Sequence, residues 1–182
     1  ALYCLSINDG RLFWKQETKC SNASPLVVGN GVFNYIDALT AFNAATGKQI
    51  WQNKELTHRN SSPLLWKDNR KAFLLVYNEG NLTCVRPENG AVVWKENMTG
   101  GHGDQSPVLV GEDLVVARTY GNMHAYQLTK SGGEQLWQVN DGNRGASPVV
   151  TGGRVFTQSR YIVCRDLQTG KEIWKAERQK TE

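Results

Sequence analysis

The stretch Ala41-Phe42-Asn43-Ala44-Ala45-Thr46-Gly47-Lys48-Gln49-Ile50-Trp51 decides how this chain folds, because its ending comes back. Cys164-Arg-Asp-Leu-Gln-Thr-Gly-Lys-Glu-Ile-Trp174 repeats the Thr-Gly-Lys-x-Ile-Trp close. Gly10-Arg-Leu-Phe-Trp14, Gly90-Ala-Val-Val-Trp94 and Gly133-Glu-Gln-Leu-Trp137 keep a glycine four residues ahead of a tryptophan. Successive tryptophans stand 37, 43, 43 and 37 residues apart. A period of roughly 40 residues marks an array of stacked units, each of which buries its apolar face against a neighbour.

A second landmark precedes the last four tryptophans: Ser24-Pro25, Ser62-Pro63, Ser106-Pro107 and Ser147-Pro148. Proline fixes its own φ and donates no hydrogen bond, so it belongs at the start of a strand. Short apolar runs follow each pair, separated by turn residues such as Gly29-Asn30, Asn78-Glu79-Gly80 and Gly152-Gly153. Four short strands per repeat make a small antiparallel sheet, which is unstable alone because both faces stay wet. Radial packing of such sheets removes that problem, and the expected fold is therefore all-β, a β-propeller of four-stranded antiparallel blades. A solenoid of parallel strands would turn at shorter intervals. The repeats fall at residues 21–59, 60–100, 101–140 and 141–182, and residues 1–20 supply the last two strands of another blade. Four complete blades plus two outer strands make an awkward ring. The expectation is a piece of a larger propeller, or a small ring whose first blade is patched by a partner.

With these motifs in view, the chain resembles the pyrroloquinoline-quinone-like (PQQ-like) β-propeller repeat family, in style closest to the scaffold lipoproteins of bacterial outer-membrane assembly. The resemblance covers essentially the whole chain. It implies that Trp14, Trp51, Trp94, Trp137 and Trp174, with Gly10, Gly47, Gly90, Gly133 and Gly170, dock one blade against the next. It also implies a location in the periplasm or otherwise outside the cytoplasm, as is common for such repeats.

Composition narrows the functions further. The net charge of +4 comes from scattered lysines and arginines, without the basic stripe of a nucleic-acid binder. The apolar run Phe73–Tyr77 is far too short to cross a bilayer. Ten residues before the tryptophans stand Cys4, Ala41, Cys84 and Cys164, and Ala125 takes the slot in the fourth repeat, which carries two extra residues. That slot wants a small buried side chain, so these cysteines read as thiols and not as a disulfide framework. Cys20 lies outside the slot.

The family also contains quinoprotein dehydrogenases, which the resemblance associates with two adjacent cysteines, a calcium site and an aspartate base. No adjacent cysteines and no acidic cluster occur here. No Gly-x-Ser-x-Gly elbow, phosphate loop or paired-cysteine zinc spacing appears either. The expectation is thus no catalytic residue, no metal and no cofactor, with PQQ and calcium reserved for the alternative that the chain is part of a quinoprotein dehydrogenase. The favoured function is a non-catalytic propeller serving as a protein-binding or scaffolding module, its partner another protein.

In a four-stranded meander, the loop entering each blade and the turn between its second and third strands share one face. That face gathers His58, Arg59, Asn60, Asn78, Glu79, His102, Asp104, Gln105, Asn143, Arg144 and Arg160. Variable loops on a rigid scaffold are the usual place for recognition, which makes these the candidate binding residues. A solvated polar loop explains the same composition, and His102 with Asp104 falls short of the three or four ligands of a metal site.

Overall fold

The computed structural model describes residues 1–17, 22–57, 60–100, 105–141, 146–158 and 161–177. They form eighteen strands and, among the described residues, no helix. The first sheet has two strands, β1 (Leu2–Leu5) and β2 (Leu12–Gln16). The second blade comprises β3 (Leu26–Val28), β4 (Gly31–Tyr35), β5 (Leu39–Asn43) and β6 (Gln49–Asn53). The third comprises β7 (Leu64–Asp68), β8 (Lys71–Asn78), β9 (Asn81–Val85) and β10 (Val92–Asn97). The fourth comprises β11 (Val108–Val110), β12 (Leu114–Arg118), β13 (Asn122–Thr129) and β14 (Gly132–Asn140). The fifth comprises β15 (Val149–Thr151), β16 (Arg154–Gln158), β17 (Tyr161–Asp166) and β18 (Glu172–Glu177). Each four-stranded sheet is an antiparallel meander in chain order. The architecture is four complete blades of a β-propeller plus the two outer strands of another.

Each complete blade begins on the residue after a Ser-Pro proline, at Leu26, Leu64, Val108 and Val149. These first strands touch one another from blade to blade (β3 with β7, β7 with β11, β11 with β15), so they line the common axis. The serines tie that inner rim together. The backbone N–H of Ser24 donates to Ser62 Oγ at 2.8 Å, Ser62 to Ser106 Oγ at 2.8 Å, and Ser106 to Ser147 Oγ at 3.1 Å.

The core lies between the sheets, not within them. Phe33, Tyr35, Leu39 and Ala41 of the second blade pack on Leu74, Val76 and Val85 of the third. Leu75, Tyr77, Leu82 and Cys84 of the third pack on Val115, Ala117 and Tyr126 of the fourth. Met123, Ala125 and Trp137 meet Val155 and Leu167 across the next joint, and Leu2 meets Val32 and Phe42 across the first. A blade thus has no core of its own, and stability accrues joint by joint.

Directly opposite each patterned tryptophan stands a small residue: Cys4 with Trp14, Ala41 with Trp51, Cys84 with Trp94, Ala125 with Trp137 and Cys164 with Trp174. The pairing slips by one residue beside every such pair. A β-bulge at this place bends the outer strand and re-aims its side chains, which swings the indole out of its own sheet towards the next.

Candidate binding surface and interblade joints

The joint is a built device. The indole of Trp14 covers Gly47, that of Trp51 covers Gly90, and that of Trp137 covers Gly170. A Cβ on any of the three glycines would stand 2.6–2.8 Å from a ring carbon. Each glycine also sits at φ between +69° and +73°, a conformation that side chains resist. The ring Nε1 then donates to the carbonyl oxygen three residues before the glycine, at 2.8 Å in each case: Ala44, Pro87 and Leu167. Two residues after the tryptophan, Gln16 Nε2 and Asn53 Nδ2 donate to the Gly47 and Gly90 carbonyls at 2.7 and 2.8 Å.

Gly133, which the sequence spacing groups with these, is different. It lies inside β14 opposite Leu128, and its Cβ position faces Tyr126 and Glu96 rather than Trp94. The two extra residues of this repeat extend the hairpin to a turn between Thr129 and Gly132, which removes the receiving glycine. Trp94 instead packs edge-on against Trp66 at 6.2 Å, and its Nε1 finds no acceptor among the described residues. Glu96 restores a link with reversed polarity, accepting the Gly133 N–H at 3.0 Å. Trp174 also departs from the pattern: it remains 41 % exposed.

Of the candidate loop residues, His58, Arg59, His102, Asp104, Asn143, Arg144 and Arg160 lie outside the described residues. Asn60, Asn78, Glu79 and Gln105 are described, and two of them differ from the expectation of an exposed face. Asn78 and Gln105 are buried. Asn78 Oδ1 accepts the Thr57 N–H at 2.9 Å and its Nδ2 donates to the Glu55 carbonyl at 3.3 Å, so it latches the entering loop to its blade. Glu79 is exposed, and its carboxylate accepts from Thr57 Oγ1 at 3.3 Å. Asn60 is partly buried and its Oδ1 accepts from Asn22 Nδ2 at 3.1 Å.

A concave surface does exist, on the opposite end of the blades. An open groove of about 480 Å³ runs between the third and fourth blades, lined by Leu65, Lys67, Asn69, Arg70, Leu109 and Glu112, with the backbone of Gly111. Leu65 and Leu109 come from the inner strands β7 and β11 and form the apolar floor. Lys67 and Arg70 supply cations at the rim, against one carboxylate from Glu112. Asn69 and Arg70 form the two-residue turn between β7 and β8, with φ of 46° and 70°. The corresponding turns of the second, fourth and fifth blades place glycine at positive φ (Gly29, Gly111, Gly152 and Gly153), so an arginine here holds a conformation that a glycine would adopt at lower cost. The composition of the sequence suggests short glycine turns for this end of the blades and gives no hint of the groove.

Two buried polar clusters sit elsewhere in the joints. Asp141 lies between Arg118 Nη2 at 2.9 Å and Arg165 Nη2 at 3.4 Å, tying the fourth blade to the fifth. Arg118 Nη1 donates further to the carbonyls of Ala146 and Gln158, at 3.2 and 3.3 Å. His124 is buried with Nε2 3.0 Å from the Thr99 carbonyl and Nδ1 3.5 Å from Gln135 Oε1, and burial holds its pKa below the ordinary value. Cys84 is sealed in the third joint, and burial pushes its thiol up to about 12. The described cysteines, Cys4, Cys84 and Cys164, stand on three separate sheets, and no three His, Cys, Asp or Glu side chains converge among the described residues. These side chains do not fit a quinone cofactor clamped by neighbouring cysteines over a calcium cage.

This blade-by-blade device, glycine receiving tryptophan across every regular joint, extends over the chain as one family pattern. Residues 1–176 match the family described as outer membrane protein assembly factor BamB. The chain belongs to the BamB family. The curated BamB of Burkholderia pseudomallei (strain K96243) is 25% identical over 194 residues, spanning 95% of this chain and 49% of that protein. The tetrathionate hydrolase of Acidithiobacillus ferrooxidans is 27% identical over 200 residues, spanning 95% of this chain and 40% of that protein. The crystal structure of BamB from Moraxella catarrhalis superposes with a TM-score of 0.58 at 20% identity, covering 81% of this chain and 49% of that one. The chain thus spans about half the length of the relatives it matches, or less. No helix among the described residues is long and apolar enough to cross a membrane.

Proposed function

We propose that this chain is a non-catalytic, protein-binding segment of a BamB-family propeller that works as a scaffold outside the cytoplasm. The observation that carries this reading is the groove between the third and fourth blades. Its leucine floor and cationic rim suit an extended polypeptide that offers aliphatic and acidic side chains. Arg70 is held there at φ 70°, and backbone strain kept at a concave surface points to use of the side chain that causes it. The name and the envelope setting of the BamB relatives support a protein partner and an extracytoplasmic site.

Capture from the envelope fraction of the source cell tests this. Wild type should retain a partner that Lys67→Glu and Arg70→Glu both lose, with unchanged melting temperatures, since both side chains are exposed. Equal capture by all three forms would remove the groove from the reading. Charge reversal of Arg59 and Arg144 together is the matching test of the loop face. Loss of the partner there and not at the groove would move the surface to the other end of the blades.

The tetrathionate hydrolase relative supports a second reading, a catalytic propeller of which this is a part. Incubation with tetrathionate, followed by thiosulfate determination, tests it directly. Addition of PQQ with calcium tests the quinoprotein alternative, which calls for a tightly held chromophore and dye-linked alcohol oxidation.

A further inference from the structure

The fourth blade carries a longer outer hairpin than its neighbours. Its last strand, β14, has nine residues where β6, β10 and β18 have five or six. β13 runs on to Thr129, and only Lys130 and Ser131 separate it from β14. Thr129 Oγ1 fixes the tip by donating to the Gly132 carbonyl at 2.9 Å. The two extra residues that remove the receiving glycine of this joint thus build a projecting arm in its place.

The arm reaches across the joint to the end where the groove lies. Near its base the Leu128 N–H donates to the Asp113 carbonyl at 2.6 Å, one residue beyond Glu112 of the groove. At its tip Lys130 Nζ stands 3.9 Å from Asp68 Oδ2 on the third blade. Asp68 lies between Lys67 and Asn69, which both line the groove, and its Oδ1 accepts from Asn69 Nδ2 at 2.9 Å. The arm therefore connects the two walls of the groove and adds a third cation to Lys67 and Arg70. Two carboxylates stand among these cations. Glu112 is exposed, whereas Asp68 is withdrawn, its side chain only 18% exposed. Lys130 is 71% exposed, and an ion pair this long and this wet holds little of the fold together.

We propose that the arm is part of the binding surface and that Lys130 determines specificity, selecting a partner segment in which acidic and aliphatic side chains alternate. This rests on the groove as the site of partner binding. Successive side chains of an extended segment point to opposite faces. Aliphatic ones then reach the floor of Leu65 and Leu109, and the carboxylates stay at the rim, where Lys67, Arg70 and Lys130 meet them. Rim charges govern the choice of partner and the rate of encounter more than raw affinity, and salt screens them. Glu112, on the opposite wall, limits the preference for acidic segments.

Anisotropy of two fluorescent synthetic peptides tests the proposal on the 182-residue chain, one alternating leucine with glutamate and the other leucine with lysine. Wild type should bind the glutamate peptide about tenfold more tightly at low salt. The gap should close near about 1 M salt, where charges are screened beyond about 3 Å. Lys130→Glu should erase most of the preference and keep wild-type circular dichroism, because its side chain lies largely in solvent. Glu112→Gln, which leaves the arm untouched, should widen the preference. A preference lost in Arg70→Glu but kept in full by Lys130→Glu would overturn the role of the arm and leave the groove standing. Equal binding of the two peptides by wild type would do the same. If neither peptide binds wild type, or Arg70→Glu binds both as wild type does, the groove itself falls and the arm with it.

Discussion

A Cβ on Gly90 would stand 2.6 Å from Cε3 of Trp51, so this glycine is required twice over, by its φ of +73° and by the ring lying on it. Gly90→Ala should cost about 1 kcal/mol for the left-handed backbone and a further 1–3 kcal/mol for displacing the indole. Gly10→Ala meets open space and pays the backbone cost alone. Urea unfolding of both variants at low chain concentration checks the difference. Equal losses would show that the ring contributes nothing to the requirement.

Asp141 lies between two arginines that are almost wholly inside the fold, with side chains 1% and 10% exposed. Asp141→Asn keeps the shape and leaves two guanidinium charges against a neutral amide, and should destabilise by about 3–5 kcal/mol. Lys130→Ala breaks an ion pair of 3.9 Å whose lysine is 71% exposed, and should change stability by less than about 1 kcal/mol. Denaturation midpoints of the two variants side by side measure the contrast.

His124 predicts an acid limit. Burial, partly offset by its bonds to Thr99 and Gln135, lowers its pKa below 6.5 in the folded chain, so below that pH the unfolded state takes up a proton that the folded state refuses. Stability should therefore be full above about pH 6.5 and decline as pH falls, by at most about 1.4 kcal/mol per pH unit for this one group. His124→Gln should flatten that part of the profile. An unchanged slope would assign the acid sensitivity elsewhere.

The Asn69-Arg70 turn should gain about 0.5–1 kcal/mol on Arg70→Gly, because glycine adopts φ 70° without the clash of a Cβ. Partner capture should weaken in the same variant. A stabilised protein with full capture would show that the arginine is there by accident.

The legibility of these features in the sequence follows from repetition. Ser-Pro pairs, small residues opposite tryptophan and the glycine four places earlier all recur, and a recurring residue reports the geometry that every blade shares. Gly133 shows the limit: two inserted residues leave the letters in place while the hairpin grows past them. The bulge beside each tryptophan leaves no letter at all, since any residue can occupy it. Asn78 reads as an exposed loop residue but satisfies the Thr57 N–H, a demand visible only once the entering loop is folded over it. The groove is harder still. Its floor joins Leu65 and Leu109, residues of different repeats that meet only because neighbouring inner strands flank the axis.

The serine chain along the inner rim has a direction. Each hydroxyl serves the backbone of the blade before it, from Ser147 back to Ser106, Ser62 and Ser24. Damage to one unit is therefore felt by its upstream neighbour. Ser106→Ala should leave its own strand β11 protected and speed amide exchange at Ser62, some forty residues earlier in the chain. A serine lost by mutation would weaken a repeat whose own sequence is intact.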